Sequence, residues 1–89
     1  MAEDSLIQEI KQLINEDNLE EIQQIYLENI NDTKLKWSYI YQKIYLHACL
    51  KKKSAIVEYL RPLFDYLPPI QQIEIRQMFH YGNYLLQKK

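Results

Sequence analysis

The stretch of chain that decides the fold lies between residues 48 and 60. It reads Ala48-Cys49-Leu50-Lys51-Lys52-Lys53-Ser54-Ala55-Ile56-Val57-Glu58-Tyr59-Leu60. The apolar residues before the three lysines continue an upstream helical pattern, and cations are favourable at a helix C-terminus. Ser54 is of a type preferred at a helix N-cap, and apolar residues follow it at helical spacing. The stretch therefore predicts the end of one helix, a short turn and the start of the next.

The helix upstream of this turn is predicted over about residues 35–51. Apolar and aromatic residues occur on every side of its axis, namely Leu35, Trp37, Tyr39, Ile40, Tyr41, Ile44, Tyr45, Leu46, Ala48, Cys49 and Leu50. A helix that is apolar all round is typically a buried one. We therefore expect this helix to lie at the centre of the domain, covered by other helices on several sides.

Two further helices are predicted before the central one. The first has apolar residues at helical spacing over residues 6–14, and Ser5 with Gln8 forms a candidate capping box at its start. The second is predicted to begin after Asn18, a favourable N-cap, with Glu21 three residues later completing a second box. Together they predict an N-terminal helix pair.

The C-terminal third is predicted from its prolines and its glycine. Pro62 disfavours helical geometry at the residue before it, so the fourth helix is expected to end or kink there. Residues 63–67 form an apolar connector with at most one short helical turn, and Pro69 suits the first position of a fifth helix. A turn is expected around Gly82. The residues of this region predicted to face inward are Ile70, Ile73, Met78 and Phe79.

The pattern as a whole predicts one all-α domain, residues 1–89, of five to six helices. A chain of 89 residues is shorter than most domains, which run to about 100–150 residues, so a second domain is not expected. The helices are predicted to form antiparallel pairs at about 5–29 and 35–61, with a loop at 29–33. A C-terminal helix or partial pair follows at about 69–87.

Residues 48–60 resemble an ankyrin repeat, whose usual wording at this place is A-C-L-x-G-H-x-x-I-V-E-Y-L, without a gap. Asn18-Leu19-Glu20-Glu21-Ile22 is similar to the N-L-E-E-V segment that begins the second helix of that repeat. The segments at 17–22 and 52–57 lie 35 positions apart, close to the ~33-residue period of such arrays. The resemblance implies a degenerate ankyrin-like array of about two and a half repeats that binds other proteins.

The chain also departs from the ankyrin pattern. The glycine expected between paired helices is Asp17 in one unit and Lys52 in the other. Residues 43–46 replace the T-P-L-H opening, and His47 lies one place beyond the family histidine, so the role of that histidine is not carried over. An irregular five-helix bundle is the alternative architecture. Divergent ankyrin-like chains rich in Ile, Lys, Tyr and Asn resemble proteins of large DNA viruses or intracellular bacteria, which implies a pathogen factor acting on a host protein.

Charge is distributed unevenly along the chain. Residues 1–32 hold nine acidic residues and one basic residue, a net −8, whereas residues 33–89 hold ten basic and three acidic residues, a net +7. Such asymmetry indicates a charged partner or self-association of the acidic N-terminal and basic C-terminal halves, unless each half only solvates its own surface. Nucleic acid is an unlikely partner, because Lys51–Lys53 fan around a helix and the pI of about 6.1 lacks a basic footprint.

No catalytic, cofactor or metal site is predicted. His47, His80 and Cys49 have no neighbours in sequence at the spacing of metal ligands. Cys49 lies between apolar residues on the most buried helix, where a thiol is unreactive. A single glycine does not build a phosphate-binding loop. We therefore expect a protein that is not an enzyme and requires no cofactor.

The chain has eight tyrosines, more than the core of a domain of this size can bury. This excess is the most informative feature of the composition for a binding surface. Tyrosine and tryptophan favour half-buried positions and are enriched where proteins meet. In ankyrin proteins the loop tips and the first helix of each pair form the recognition surface. The resemblance therefore implies that the two connectors of this chain form its protein-binding surface. The candidate protein-binding residues are Lys34, Lys36, Trp37, Tyr41, Phe64, Asp65 and Tyr66. The alternative for Trp37 and Phe64 is that they complete the core.

These patterns predict a non-enzymatic module that binds and masks a surface of another protein. The alternatives are a small structural subunit of a larger assembly and, less favoured, a nucleic-acid-binding accessory protein. A single cysteine excludes an internal disulfide, no apolar run approaches the ~20 residues of a membrane helix, and residues 1–15 lack the order of a signal peptide. We expect an intracellular, cytoplasmic protein without a membrane segment, located in the host cytoplasm if it is viral.

Overall fold

The computed structural model describes residues 2–88, which form six α-helices and one 3₁₀ turn. The helices are α1 (Ala2–Asn15), α2 (Leu19–Asn29), α3 (Trp37–Leu50), α4 (Ser54–Leu63), α5 (Pro69–Ile75) and α6 (Met78–Gln87), with the 3₁₀ turn at Phe64–Tyr66. No strand occurs among residues 2–88. The prediction of an all-α fold with five to six helices is confirmed.

Helix α3 is the central element, as its apolar circumference predicts. It packs against α1, α4, α5 and α6, and it supplies more buried residues than any other helix of residues 2–88. Its buried residues are Ser38, Ile40, Tyr41, Ile44, Tyr45, Ala48 and Cys49. A helix covered on several sides in this way organises the hydrophobic core around itself.

Helices α1 and α3 run parallel to each other in one layer. Near their N-terminal ends the Tyr39 hydroxyl donates to Asp4 Oδ1 over 3.2 Å, and near their C-terminal ends His47 Nε2 lies 2.8 Å from Asn15 Oδ1. Helix α2 returns along α1, and α4 returns along α3, each after a short turn. Two helix pairs therefore lie side by side with their first helices in contact.

Helix α6 occupies the position on the other side of α3. Gly82 lies against Tyr45 and Cys49 in the middle of α3, and the Lys52 ammonium group just after α3 donates to the carbonyl of Leu85, over 2.7 Å. These contacts follow the same order along both helices, so α6 is parallel to α3. Three parallel helices, α1, α3 and α6, form the main layer, and the carbonyls at the end of α6 gain a cation.

Both short turns between paired helices contain a residue with positive φ. Asp17 has φ of 61° and Lys52 has φ of 57°. In the second turn the N–H of Lys53 donates to the carbonyl of Ala48 over 3.0 Å, so the donor lies five residues after an acceptor in the last turn of α3. This is the hydrogen-bonding pattern of a Schellman motif, whose left-handed residue is usually glycine. A side chain at these two positions therefore carries backbone strain.

At position 52 we expect the glycine variant to be more stable than the alanine variant, the reverse of the usual order in a helix. Both Lys52→Gly and Lys52→Ala remove the ammonium group, but only glycine relieves the positive φ, so we expect Lys52→Gly to be more stable by about 1 kcal/mol. Lys51, with φ of −85°, is the matched control. At position 51 the alanine variant should have a free energy of unfolding about 0.5–1 kcal/mol higher than the glycine variant, as measured by urea unfolding. If the same residue were the more stable one at both positions, strain at Lys52 would be contradicted.

One predicted helix cap is present and two are not. Asn18 caps α2, because its side chain accepts the N–H of Glu21 over 3.3 Å. The prediction for Ser5 is wrong, because α1 already begins at Ala2 and Ser5 lies inside the helix. The prediction for Ser54 is also wrong: it is the first residue of α4, and Lys53 precedes it without a side-chain cap. The preceding turn already positions this segment, so a serine cap is not needed.

The sequence predicts that α4 ends or kinks before Pro62, and the end does not occur there. The helix includes Pro62 and runs to Leu63, after which the 3₁₀ turn begins. Pro62 is exposed, and so is Glu58, whose carbonyl loses its usual helical donor to the proline. Both residues are on the exposed side of α4, where water has access to the helix, so a proline is tolerable there. The predicted short helical turn in the connector at 63–67 is confirmed as the 3₁₀ turn.

Helix α5 begins at Pro69 as predicted, but its orientation differs from the prediction. Ile70 and Ile73 were expected to face inward, and they are 75% and 69% exposed. Ile75, at 6% exposure, is the residue of α5 that enters the core. Successive helical positions turn by about 100°, so Ile75 lies about 200° from Ile73 and the two residues do not share a face. Met78 and Phe79 are buried and half-buried respectively.

The predicted turn at Gly82 is wrong as well. Gly82 is a buried residue in the interior of α6, and the break in this region falls at residues 76–77, between α5 and α6. A β-carbon at position 82 would lie 2.9 Å from Cε2 of Tyr45. The glycine is required here because the two helices approach closely, and no turn is involved.

Candidate functional site

A cavity of 420 Å³ opens between the loop that follows α2 and the segment that joins α4 to α5. Four aromatic side chains line it, together with one carboxylate, two primary amides and smaller residues. The lining comprises Tyr26, Ile30, Asn31, Asp32, Thr33, Leu35, Trp37, Tyr41, Leu63, Tyr66, Leu67, Pro68 and Gln71. This volume falls within the range of about 300–1,000 Å³ that is usual for ligand pockets.

Trp37 is held at one wall of the cavity by contacts to α2. It is the first residue of α3, it is half-buried, and its indole N–H donates to the carbonyl of Asn29 over 3.2 Å. Its ring meets the Tyr26 ring edge-on, with 5.4 Å between ring centroids. Such an edge-to-face pair is a favourable aromatic geometry that fixes both rings. The wall is therefore rigid.

Tyr41 contributes to the wall of the cavity nearest the core. It is 2% exposed, and its hydroxyl donates to the carbonyl of Leu60. Burial raises the pKa of the Tyr41 phenol far above its usual range. Tyr41 is therefore neutral, and it joins the cavity to the core between α3 and α4.

Tyr66 is the exposed aromatic residue at the rim opposite Trp37. It is 77% exposed and ends the 3₁₀ turn. The turn is held from α5, because the amide of Gln72 donates to the carbonyl of Leu67 over 2.7 Å and to that of Asp65 over 3.3 Å. The backbone that carries Tyr66 is thus anchored while its ring remains free to contact another molecule.

None of the remaining predicted residues is among those that line the cavity. Lys34 is exposed in the loop, where its backbone N–H donates to Asp32 Oδ1 over 3.0 Å. Lys36 is exposed and its ammonium lies 3.9 Å from the Glu74 carboxylate. Phe64 is 8% exposed and packs edge-on against Phe79, so it belongs to the core. Asp65 is exposed on a separate surface, beside Phe79 and Asn83.

Most residues that line the cavity are not candidates in the sequence analysis, and three of them, Tyr26, Asp32 and Gln71, bear on its chemistry. Tyr26 follows the helical stripe of α2 and reads as core, yet it is only half-buried. Burial, followed by the nearby Tyr59 and Tyr66, raises the pKa of its phenol. Asp32 and Gln71 carry no sequence signal that separates them from other polar loop and helix residues. Only the folded chain brings these three residues to Trp37 and Tyr66.

The Gln71 side chain has an unusual environment. Its Oε1 atom is fully covered and accepts no hydrogen bond among residues 2–88. Buried acceptors are nearly always paired, and leaving one unpaired costs about 1–3 kcal/mol. Gln71 lines the cavity, but protein atoms cover this oxygen, so a molecule in the cavity would not contact it without a movement of the side chain.

Two titratable side chains of α3 outside the cavity, those of Cys49 and His47, have pKa values that are shifted mainly by burial. Cys49 is fully buried, and burial raises the pKa of its thiol. Burial lowers the pKa of His47, with smaller contributions from Lys11 and Lys51. Across the part of the chain that the structure describes, no three His, Cys, Asp or Glu side chains lie close enough together to hold one metal ion.

Two of the three consecutive lysines make intramolecular contacts. The Lys52 ammonium donates to the carbonyl of Leu85 over 2.7 Å. The Lys53 ammonium lies 3.9 Å from the Asp17 carboxylate, which joins a basic residue of the C-terminal half to an acidic residue of the N-terminal half. The side chains of Lys51–Lys53 therefore do not present one shared surface.

No known protein family, curated protein or solved structure matches this chain. The resemblance to ankyrin repeats therefore stays a prediction from residues 48–60. Among residues 2–88, no helix combines the length and the apolar character that a membrane crossing requires.

Proposed function

We propose that this chain is a non-enzymatic protein-interaction module that uses the cavity between α2, α3 and α5 to bind and mask a partner surface. The observation that carries the proposal is the meeting of two distant segments. Trp37 after the first connector and Tyr66 in the second line the same cavity, together with Tyr26. Aromatic residues gathered at one concave, partly exposed site are typical of protein interfaces.

The rigidity of the cavity supports the same proposal. Trp37 and Tyr41 are both tied to backbone carbonyls, and the turn that carries Tyr66 is tied to α5. A preorganised site loses little conformational entropy when a partner binds, and this favours affinity. Tyr66 then provides a large aromatic contact that only becomes buried in the complex.

Site-specific photo-crosslinking tests the proposal. A benzophenone amino acid replaces Tyr66 in the full chain, which is expressed in cells of its natural source. The matched control carries the same amino acid at Tyr84, which is 57% exposed on α6, away from the cavity. We expect a discrete protein adduct from position 66 that position 84 does not give. The same adducts from both positions, or none from position 66, would count against the proposal.

A second candidate, a structural subunit of a larger assembly, is favoured by the outer face of α5. Ile70 and Ile73 are exposed there, about one helical turn apart. Large apolar residues that are grouped on a surface commonly mark an interface. Self-association of the chain would cover them and would also use its acidic and basic halves.

Sedimentation of the chain at low and high salt distinguishes this second candidate. A subunit is expected to self-associate at high concentration, and Ile73→Lys should shift it to the monomer. Asn83→Lys, a charge added at an exposed site on α6, is the control. A wild-type chain that remains monomeric in both salts excludes self-association through this face.

A further inference from the structure

The cavity has a chemical character that goes beyond general aromatic recognition. Tyr26, Trp37 and Tyr66 supply π-systems, and Asp32 supplies a carboxylate. No lysine, arginine or histidine side chain belongs to the described residues that line it. The site therefore offers negative electrostatic potential and hydrogen-bond acceptors, and it lacks the positive charge to match them.

We infer that the cavity binds a cationic side chain of the partner, an arginine in preference to a lysine. This inference rests on the proposed protein-binding role of the same cavity and specifies the chemistry of the partner. A cation is attracted to the faces of aromatic rings, most strongly to tryptophan. A guanidinium also stacks on such rings and is more weakly hydrated than an ammonium.

The polar groups suit a guanidinium for a second reason. A guanidinium carries five N–H donors in a planar fork and no acceptor. Asp32 provides a charged acceptor at the loop, to which this fork can donate. A neutral apolar side chain would fill the cavity without gaining this charge-assisted hydrogen bond.

The arrangement also explains why the basic residues beside the cavity do not block it. Lys36 is the nearest lysine in sequence to Trp37, and its ammonium is directed to Glu74 of α5. Lys34 is exposed, and its backbone N–H, not its ammonium, is the group that contacts Asp32. The Asp32 carboxylate thus keeps an oxygen atom for an external cation.

A pair of isosteric peptides tests this inference on the full chain. The probes are acetyl-Gly-Arg-Gly-amide and the same peptide with citrulline, which keeps the shape of arginine without its charge. Binding is followed by backbone NMR shifts and by the indole N–H of Trp37, the single tryptophan of the chain. We expect the arginine peptide to bind about 5- to 30-fold more tightly, with its largest shifts at cavity residues, and high salt to weaken it.

Two pairs of variants assign the effect to the cavity. Asp32→Asn keeps the oxygen that accepts the Lys34 N–H and removes the charge, so it should weaken the arginine peptide about three- to tenfold. Asp65→Asn, an acid outside the cavity, should change nothing. Tyr66→Leu should weaken binding several-fold whereas Tyr66→Phe, which keeps the ring face, should not.

The outcomes distinguish failure of the arginine inference from failure of the proposed protein-binding function. Equal binding of both peptides at the cavity overturns the cation inference and leaves the cavity a protein-binding candidate. Shifts confined to the acidic faces of α1 and α2, or no saturable binding of the arginine peptide, also overturn the inference. Tighter binding of the equivalent lysine peptide would retain a cation site and overturn the preference for arginine.

Discussion

Replacing Tyr45 by alanine is expected to lower the free energy of unfolding by about 3–5 kcal/mol, the largest effect of any single substitution considered for this chain. Tyr45 is fully buried in the middle of α3. Its ring stacks on Tyr41 with 5.8 Å between centroids and meets Phe79 edge-on at 5.1 Å. Truncation therefore leaves a large cavity at the point where α3, α4 and α6 meet.

The size of this loss matters because the chain is small. A domain of 89 residues has a total stability of about 4–13 kcal/mol, so Tyr45→Ala is expected to remove much of it. Equilibrium urea unfolding followed by circular dichroism measures the change. Tyr84→Ala is the control, since Tyr84 is 57% exposed on α6, and its effect should remain within about 0.5 kcal/mol.

Tyr45→Phe separates packing from hydrogen bonding at the same position. The Tyr45 hydroxyl accepts a long hydrogen bond of 3.4 Å from the guanidinium of Arg61, which is exposed. Losing it should therefore cost no more than about 1 kcal/mol. If Tyr45→Ala cost as little as Tyr45→Phe, the close packing of the three helices around this ring would be incorrect.

Gly82→Ala is the substitution with the second-largest expected effect, although alanine is the better helix former. The new β-carbon would lie 2.9 Å from Cε2 of Tyr45 and 3.1 Å from Sγ of Cys49. Both neighbours are fully buried, so neither side chain is free to withdraw. Overpacking of this kind costs about 1–3 kcal/mol, against a helix-propensity gain of about 1 kcal/mol.

We therefore expect Gly82→Ala to destabilise the chain by up to about 2 kcal/mol in the same urea assay. Asn83→Ala, at the next and exposed position of α6, should instead stabilise it by a few tenths of a kcal/mol, or about 0.5 at most. Cys49→Ala combined with Gly82→Ala should recover part of the loss, because one of the two close contacts disappears. Stabilisation by Gly82→Ala alone would contradict the close approach of α6 to α3.

Much of the local structure is predictable from the sequence, because it depends on neighbouring residues. Asn18 caps α2 through a hydrogen bond to a residue three places away, and Pro69 begins α5 because its fixed φ suits a first helical turn. The central place of α3 follows from its apolar circumference. Ser5 and Ser54 show the limit of this reasoning, since a favourable cap residue does not determine where its helix begins.

The candidate site is only partly predictable. Trp37 and Tyr66 stand out as aromatic residues in connectors, and each of these segments is identifiable in the sequence. Their approach to one another across the cavity depends on how α2 and α5 pack against the ends of α3. Asp32 and Gln71 carry no local signal at all, because what distinguishes them is the cavity that they line.

Residues of α5 and α6 show best what the sequence determined and what it left to the tertiary structure. The sequence alone determined that these residues are helical, because helix formation depends on local hydrogen bonds and on the residue types within each turn. It did not determine that Ile75 is buried instead of Ile70 and Ile73, or that Gly82 is a contact point instead of a turn. Those choices were made by packing against α3, far away in sequence: Gly82 lies against Tyr45 and Cys49, and α5 packs nearer the start of α3. The shapes of both surfaces decide which face of a helix fits.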